Sequence, residues 1–205
     1  MCVLEKVMAF DRPDDIANPN SVRLANKNDA ALLYSVCRQS YIESFADHWN
    51  EGGLEWYLNK VYGMEVLERD LGDPSINYFI SYCDNIAVGF MKIKLNAALS
   101  DKIGGKHIEI EKLYFLEEYK RRGLGRQMIS TARDVANKLD VNVIWLAVID
   151  TNTSAINFYE RNGFKLFDKT RLEIPYFKDE LRGMWRMIME PEAIITDQST
   201  NEISS

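Results

Sequence analysis

Histidine is nearly absent from this 205-residue chain: only His48 and His107 occur, far apart. Cysteine is scarce too, and Cys2, Cys37 and Cys83 form neither a CxxC pair nor a cysteine–histidine cluster of metal-binding spacing. No metal is therefore expected, and the thiols read as small hydrophobes in or near the core. Long apolar runs are missing as well. The longest, Val143 to Ile149, falls well short of the ~20 residues that span a bilayer. The start, Met1-Cys2-Val3-Leu4-Glu5-Lys6, has no basic stretch leading into an apolar segment, so no signal peptide is expected and the cytoplasm is the expected setting. Nor is there a basic excess. A net charge of −6 and a pI of about 5.1 argue against nucleic acid as a partner. The same acidic balance is compatible with a cationic substrate, and equally with plain solubility.

What is present is an ordinary globular balance, 46% hydrophobic and 27% charged, long enough for one domain with a sizeable core. The domain is expected over residues 21–190, with an N-terminal extension at 1–20 and a polar tail at 191–205. Ser21–Asn26 reads as a short strand. Asn28 or Asp29 reads as the cap of a helix reaching about Phe45, and a second helix is expected from Leu54 to about Leu71. Ile76–Tyr82 and Ile86–Leu95 are rich in β-branched and aromatic residues, and Cys83-Asp84-Asn85 between them suits a hairpin. A polar turn at Asp101–Lys106 precedes a third strand, His107–Phe115. From Gly123 to Leu139, apolar residues recur at Leu124, Met128, Ala132, Val135, Ala136 and Leu139, the mark of an amphipathic helix. The apolar run at Val143 is a strand covered on both faces. Thr151 or Asn152 caps a short helix to Asn162, and strands at about Phe164–Leu172 and Met184–Met189 close the domain. The fold class is α/β or α+β, with a mixed sheet.

The chemistry concentrates where the strand ending at Phe115 gives way to Lys120-Arg121-Arg122-Gly123-Leu124-Gly125 and a helix begins. Glycine admits a ligand close to the backbone, and the first turn of a helix offers unpaired N–H groups at the positive end of its dipole. With Lys120, Arg121, Arg122 and Arg126 nearby, this is a phosphate site. A Walker loop is absent, and Met128 stands where a dinucleotide fingerprint needs its third glycine.

These residues resemble the GNAT superfamily of acyl-CoA N-acyltransferases. The loop matches its Q/R-x-x-G-x-G/A signature except at Lys120. Asn152-Thr153-Ser154-Ala155-Ile156-Asn157-Phe158-Tyr159 meets a second one, N-x-x-A-x-x-F-Y, and Asn162-Gly163-Phe164 follows as in the family. The resemblance implies a GNAT-like, mostly antiparallel sheet flanked by helices, with acetyl-CoA as co-substrate and no metal. It implies that the backbone of Leu113 and Phe115 pairs with pantetheine, with Tyr114 between them, and that the Phe115 N–H polarises the thioester carbonyl. Amides from Arg121 to Arg126 hold the diphosphate, Asn152 bonds the pantetheine, and Asn157 and Tyr159 also line the coenzyme.

A base must deprotonate the attacking amine. Glu109 and Glu111, two apart on one strand, share a face if no bulge intervenes, and either can serve, directly or through water. Both can instead be solvated, or simply hold a cationic substrate. Tyr159 supplies a proton or hydrogen bond to the departing thiolate, or packs beside Phe158. Within the superfamily, the core most resembles bacterial spermidine/spermine N-acetyltransferases. The aromatics Tyr41, Phe45, Trp49, Trp56 and Tyr57, with Glu43, Asp47 and Glu51, form either a polyamine site or core. Expected is direct transfer to a small amine in a ternary complex. The alternatives are a protein or peptide acetyltransferase and a non-catalytic acyl-CoA sensor. Dimers are common in the family, so a homodimer is compatible.

Overall fold

The computed structural model describes residues 20–100 and 103–191. The expected N-terminal extension, Cys2, most of the polar tail and the first two residues of the Asp101–Lys106 turn lie outside them. Seven strands form one sheet: β1 (Asn20–Leu24), β2 (Ile76–Cys83), β3 (Ile86–Leu95), β4 (His107–Phe115), β5 (Val143–Ile149), β6 (Lys165–Arg171) and β7 (Gly183–Met189). Their order is β1-β2-β3-β4-β5-β7-β6, antiparallel except for the β4/β5 pair. Five helices cover it: α1 (Ala30–Phe45), α2 (Gly53–Tyr62), α3 (Met64–Gly72), α4 (Leu124–Leu139) and α5 (Thr153–Arg161). The expected mixed sheet is present.

Three local differences have physical causes. Asp29 is the N-cap position of α1, as expected, but its side chain makes no cap bond there; it closes instead a capping box on the preceding 3₁₀ turn Lys27–Asp29, where Asn26 accepts from the Asn28 N–H at 2.9 Å and its own N–H donates to Asp29 at 2.7 Å. The single helix expected from Leu54 to Leu71 is two, because Gly63 is extended (φ −65°, ψ 151°) and breaks the backbone ladder. A Cβ at Gly63 would lie 2.5 Å from the Asn59 carbonyl oxygen. The β2–β3 hairpin turns on Asp84 and Asn85, both at positive φ, as a two-residue turn matched to strand twist requires.

The sheet buries a different core on each face. Under α4 and α5 the core is mostly aliphatic, with Met91, Ile93, Ile108, Ile110, Leu124, Met128, Ile129 and Leu146 among its buried residues. Under α1–α3 it is aromatic, built on Tyr41, Tyr57, Tyr62, Tyr78 and Phe90. Tyr41 stacks on Tyr57 with centroids 4.7 Å apart, and Trp49 lies 4.9 Å from Tyr57. The aromatic stripe read in the sequence is therefore largely core.

Candidate active site

β4 and β5 pair only from His107 to Glu109, opposite Val143 to Trp145. Beyond Glu109 the strands diverge, while β4 stays paired to β3 as far as Phe115. The Leu116 N–H donates to the Val88 carbonyl at 2.9 Å, so the peptide groups of Leu116 and Tyr114 face β3. By strand alternation, the N–H and C=O groups of Leu113 and Phe115 face the opening toward β5. An extended arm laid there gains ladder hydrogen bonds without displacing a strand.

The opening leads to the N-terminus of α4. Its cap is Gly123, at φ 85°, which has no side chain to satisfy the first-turn amides. Arg121 also sits at positive φ, 64°. Arg121, Arg122 and Arg126 are exposed around this turn, and Arg122 lies 5.0 Å above the Tyr119 ring. Amides of this kind, at the positive end of a 16-residue helix, suit a diphosphate. Lys120 is turned elsewhere: its ammonium pairs with Glu117 and reaches Ser44 of α1 at 3.4 Å. Glu43 accepts from the Glu117 N–H at 2.7 Å, so the end of α1 fixes the loop.

The two signature segments meet. A Cβ at Gly125 would come within 2.9 Å of the Phe158 ring and 3.8 Å of Phe115, so glycine lets α4 approach both β4 and α5. Asn152 caps α5, its Oδ1 accepting from the Ala155 N–H at 3.0 Å. Tyr159 packs against Phe158 and Phe164, with centroids at 5.2 and 5.6 Å. Burial pushes its phenol up from the usual value, keeping it protonated through neutral pH. It lies close enough to Tyr114 to influence that phenol. Asn157 is exposed on the same helix. Tyr114 turns its ring into the aromatic core, at 5.4 Å from Phe45 and 5.7 Å from Tyr41.

The two strand carboxylates are where the geometry adds most. A bulge does intervene: Lys92 pairs with Lys112 and Ile93 with Ile110, leaving Glu111 as the extra residue. The bulge returns Leu113 and Phe115 to the face of Ile108 and Ile110. It leaves Glu111 and Lys112 together on the other face with Glu109. Lys94 consequently touches both carboxylates, at 3.2 Å from Glu111 and 3.9 Å from Glu109. Glu111 also meets Lys92 at 3.1 Å and Lys112 at 3.6 Å. Burial works against its charge, yet the three ammoniums prevail and lower its pKa to about 2. For Glu109 burial prevails over Lys94, and its pKa is raised. Burial also opposes the Lys112 charge, but Tyr57, Tyr114 and Glu111 hold that ammonium protonated.

Sequence reasoning missed Lys92, Lys94 and Lys112, which set these properties. The alternating β3 segment Lys92-Ile93-Lys94 was the available signal. Among the described residues no group of three His, Cys, Asp or Glu side chains is placed to hold a metal ion. Among them, too, no helix is long and apolar enough to cross a membrane.

Comparison with known proteins agrees with this geometry. Residues 36–164 match the Acetyltransferase (GNAT) family. A spermidine N(1)-acetyltransferase of Thermoplasma acidophilum is 24% identical over 151 residues, 72% of this chain and 89% of that protein. An L-ornithine N5-acetyltransferase of Arabidopsis thaliana is 40% identical over 63 residues, covering 31% of this chain and 28% of the relative. The crystal structure of the PaiA N-acetyltransferase of Thermoplasma acidophilum with coenzyme A superposes with a TM-score of 0.66 at 21% identity, covering 83% of this chain and 98% of that one. An opening between two strands beside an uncapped helix turn, with both signatures in place and a family match spanning most of the domain, leads to one conclusion: the chain belongs to the GNAT acetyltransferase family and is an acetyl-CoA-dependent N-acetyltransferase.

Proposed function

We propose that the acceptor is a small cationic amine, a polyamine in the first instance, and that the acetyl group passes to it directly in a ternary complex. The observation that carries this reading is the opening beyond Glu109, which sets a carboxylate of raised proton affinity at the mouth of the coenzyme cleft. Acetyl-CoA supplies a thioester carbonyl. The Leu113 and Phe115 peptide groups would hold its pantetheine arm, with the Phe115 N–H directed at the carbonyl oxygen. The amides from Arg121 to Arg126 would hold the diphosphate, and Asn152 and Asn157 would flank the arm.

Glu109 is the better base of the two strand carboxylates. A carboxylate of pKa about 2 takes a proton from an ammonium far less readily than one raised by burial. Glu111 then serves as a fixed negative charge. Tyr159, protonated at working pH, donates to the leaving sulfur. The Thermoplasma spermidine acetyltransferase supports a polyamine acceptor. So do Asp47 and Glu51, exposed at the α1–α2 turn where they can meet a second ammonium. Glu43 is withdrawn from that role by its bonds to Gln39 and Glu117. A cytoplasmic setting and a homodimer complete the reading.

The test is thiol release from acetyl-CoA across polyamines, diamino acids, aminoglycosides and peptides. Fastest turnover on spermidine or spermine, with intersecting initial-rate patterns, is the expected result. Preference for a peptide, or parallel patterns, overturns the acceptor or the ternary mechanism respectively. Tight coenzyme binding with no turnover on any amine points instead to a sensor.

A further inference from the structure

Behind Glu111 runs a ladder of alternating charge that reaches the far side of the aromatic core. Asp70 on α3 is 2% exposed, and Lys92 on β3 is 6% exposed. The Lys92 ammonium donates to Asp70 at 2.7 Å and meets Glu111 at 3.1 Å. Glu111 meets Lys94 at 3.2 Å, and Lys94 meets Glu109 at 3.9 Å. The spacing loosens at every step, and the loosest contact is the one at Glu109. Asp70 is itself anchored by the Tyr78 hydroxyl at 3.1 Å and by Arg69 at 3.2 Å.

Ions this deep are costly to bury, and an apolar pair of similar volume would often hold the fold as well. What this ladder supplies that leucine and methionine would not is a division of positive charge. Each lysine sits between two carboxylates, so the pull of one carboxylate decides what remains for the next. Asp70 takes the shorter contact with Lys92. Glu111, only partly satisfied by Lys92, holds Lys94 more closely than Glu109 does.

We propose that Asp70 is a positioning residue for the proton-accepting carboxylate: by holding Lys92 it leaves Glu111 to hold Lys94, which keeps Lys94 from closing onto Glu109 and leaves Glu109 free to take a proton. This rests on the reading of Glu109 as the base. The other charged groups on this side are accounted for among the described residues. Lys112 on β4 is held by Glu111 and Tyr57. Trp145 of β5, opposite Glu109, carries no charge, and its indole N–H donates to the Ala97 carbonyl at 2.8 Å. Arg186 of β7 is paired with Asp168 of β6. The sharing of Lys94 is therefore the variable the ladder controls.

Two variants separate this device from a simple field effect. In Asp70→Asn, Lys92 turns to Glu111, Lys94 is released toward Glu109, and the apparent pKa of Glu109 falls by about 0.5–1 pH unit. In the double variant Asp70→Leu with Lys92→Met, Lys92 no longer lowers the Glu109 pKa through its field, so a bare field effect already predicts a rise, with Lys94 left in place. The ladder predicts a rise of about 0.5 pH unit accompanied by movement of the Lys94 ammonium onto Glu111, seen in a crystal structure of the variant. The readouts are the acid limb of kcat/KM and a 13C titration of glutamate carboxyls in the coenzyme-free protein. Leu67→Ala, which thins the packing of α3 without removing a partner of the ladder, is the structural control: it is expected to lower Tm and leave the titration in place.

Shifts of opposite sign with Lys94 moved toward Glu109 in the first variant and onto Glu111 in the second support the proposal, and the same shifts with Lys94 unmoved overturn it. A loss of Tm in either variant with the Glu109 titration unmoved overturns it, as does a double variant that titrates like wild type. Should Asp70→Asn not fold, the double variant decides alone. A Glu109→Gln enzyme retaining full turnover and the same acid limb refutes the underlying base assignment instead. That outcome is distinguishable, since the carboxyl titration still reports whether the ladder operates.

Discussion

The two faces of the central sheet are built on opposite plans. Behind it, α4 and α5 cover aliphatic side chains, and the proposed coenzyme contacts are backbone: the amides opening α4 and the peptide groups of Leu113 and Phe115. In front, α1–α3 cover aromatic rings and buried ions, and the proposed catalytic groups are side chains whose charges depend on one another. Backbone sites tolerate change in side chains but not in main-chain geometry. The front depends on individual functional groups.

The comparison breaks most visibly at Glu109. Glu109→Gln is expected to reduce kcat by about 10²- to 10⁴-fold with coenzyme Kd unchanged, measured by steady-state kinetics beside calorimetry. On the back, Gly125→Val should do the reverse. Its side chain meets Phe158 and forces α4 away from α5, raising the coenzyme Kd by at least about tenfold, while the front ladder titrates normally. Tyr159→Phe is expected to lower kcat by about tenfold with coenzyme binding retained, and an unchanged kcat would remove it as the acid. Because burial raises the Tyr159 phenol, its ionisation should not limit activity on the alkaline side near neutral pH.

Smaller effects sharpen the contrast in stability. The folded pKa of Glu111, about 2, lies below its unfolded value near 4.5. Its ion pairs therefore contribute fully above pH 4.5, and the contribution is lost as pH falls from about 4.5 to about 2. Its magnitude is on the order of 3 kcal/mol. Glu111→Gln should flatten the acid-denaturation profile in that window; an unaltered profile contradicts the pairing. Asn152→Ala, which removes only a helix cap, should cost about 1 kcal/mol by thermal unfolding.

How far the sequence could be read follows the same division. The turn that opens α4 was legible because its signals are local: Gly123, Gly125 and the flanking arginines adjoin one another, and helix periodicity starts there. The second signature was legible for the same reason, down to Asn152 as a cap. Most element limits fell within a few residues of the structure. The front face was not legible to that depth. Asp70 and Lys92 are 22 positions apart, and their pairing depends on how α3 packs over β3. The bulge at Glu111 leaves no mark in an alternating His107–Phe115 strand, so Glu109 and Glu111 looked equivalent until their surroundings separated them. Gly63 splits a helix by turning extended, which a pattern of apolar residues does not register.

The most direct test is an amide titration. With 15N-labelled protein, 3′,5′-ADP is expected to shift the Leu124, Gly125 and Arg126 amides. Coenzyme A is expected to shift these and the Leu113 and Phe115 amides as well. Saturating coenzyme that leaves all five resonances in place would contradict the account.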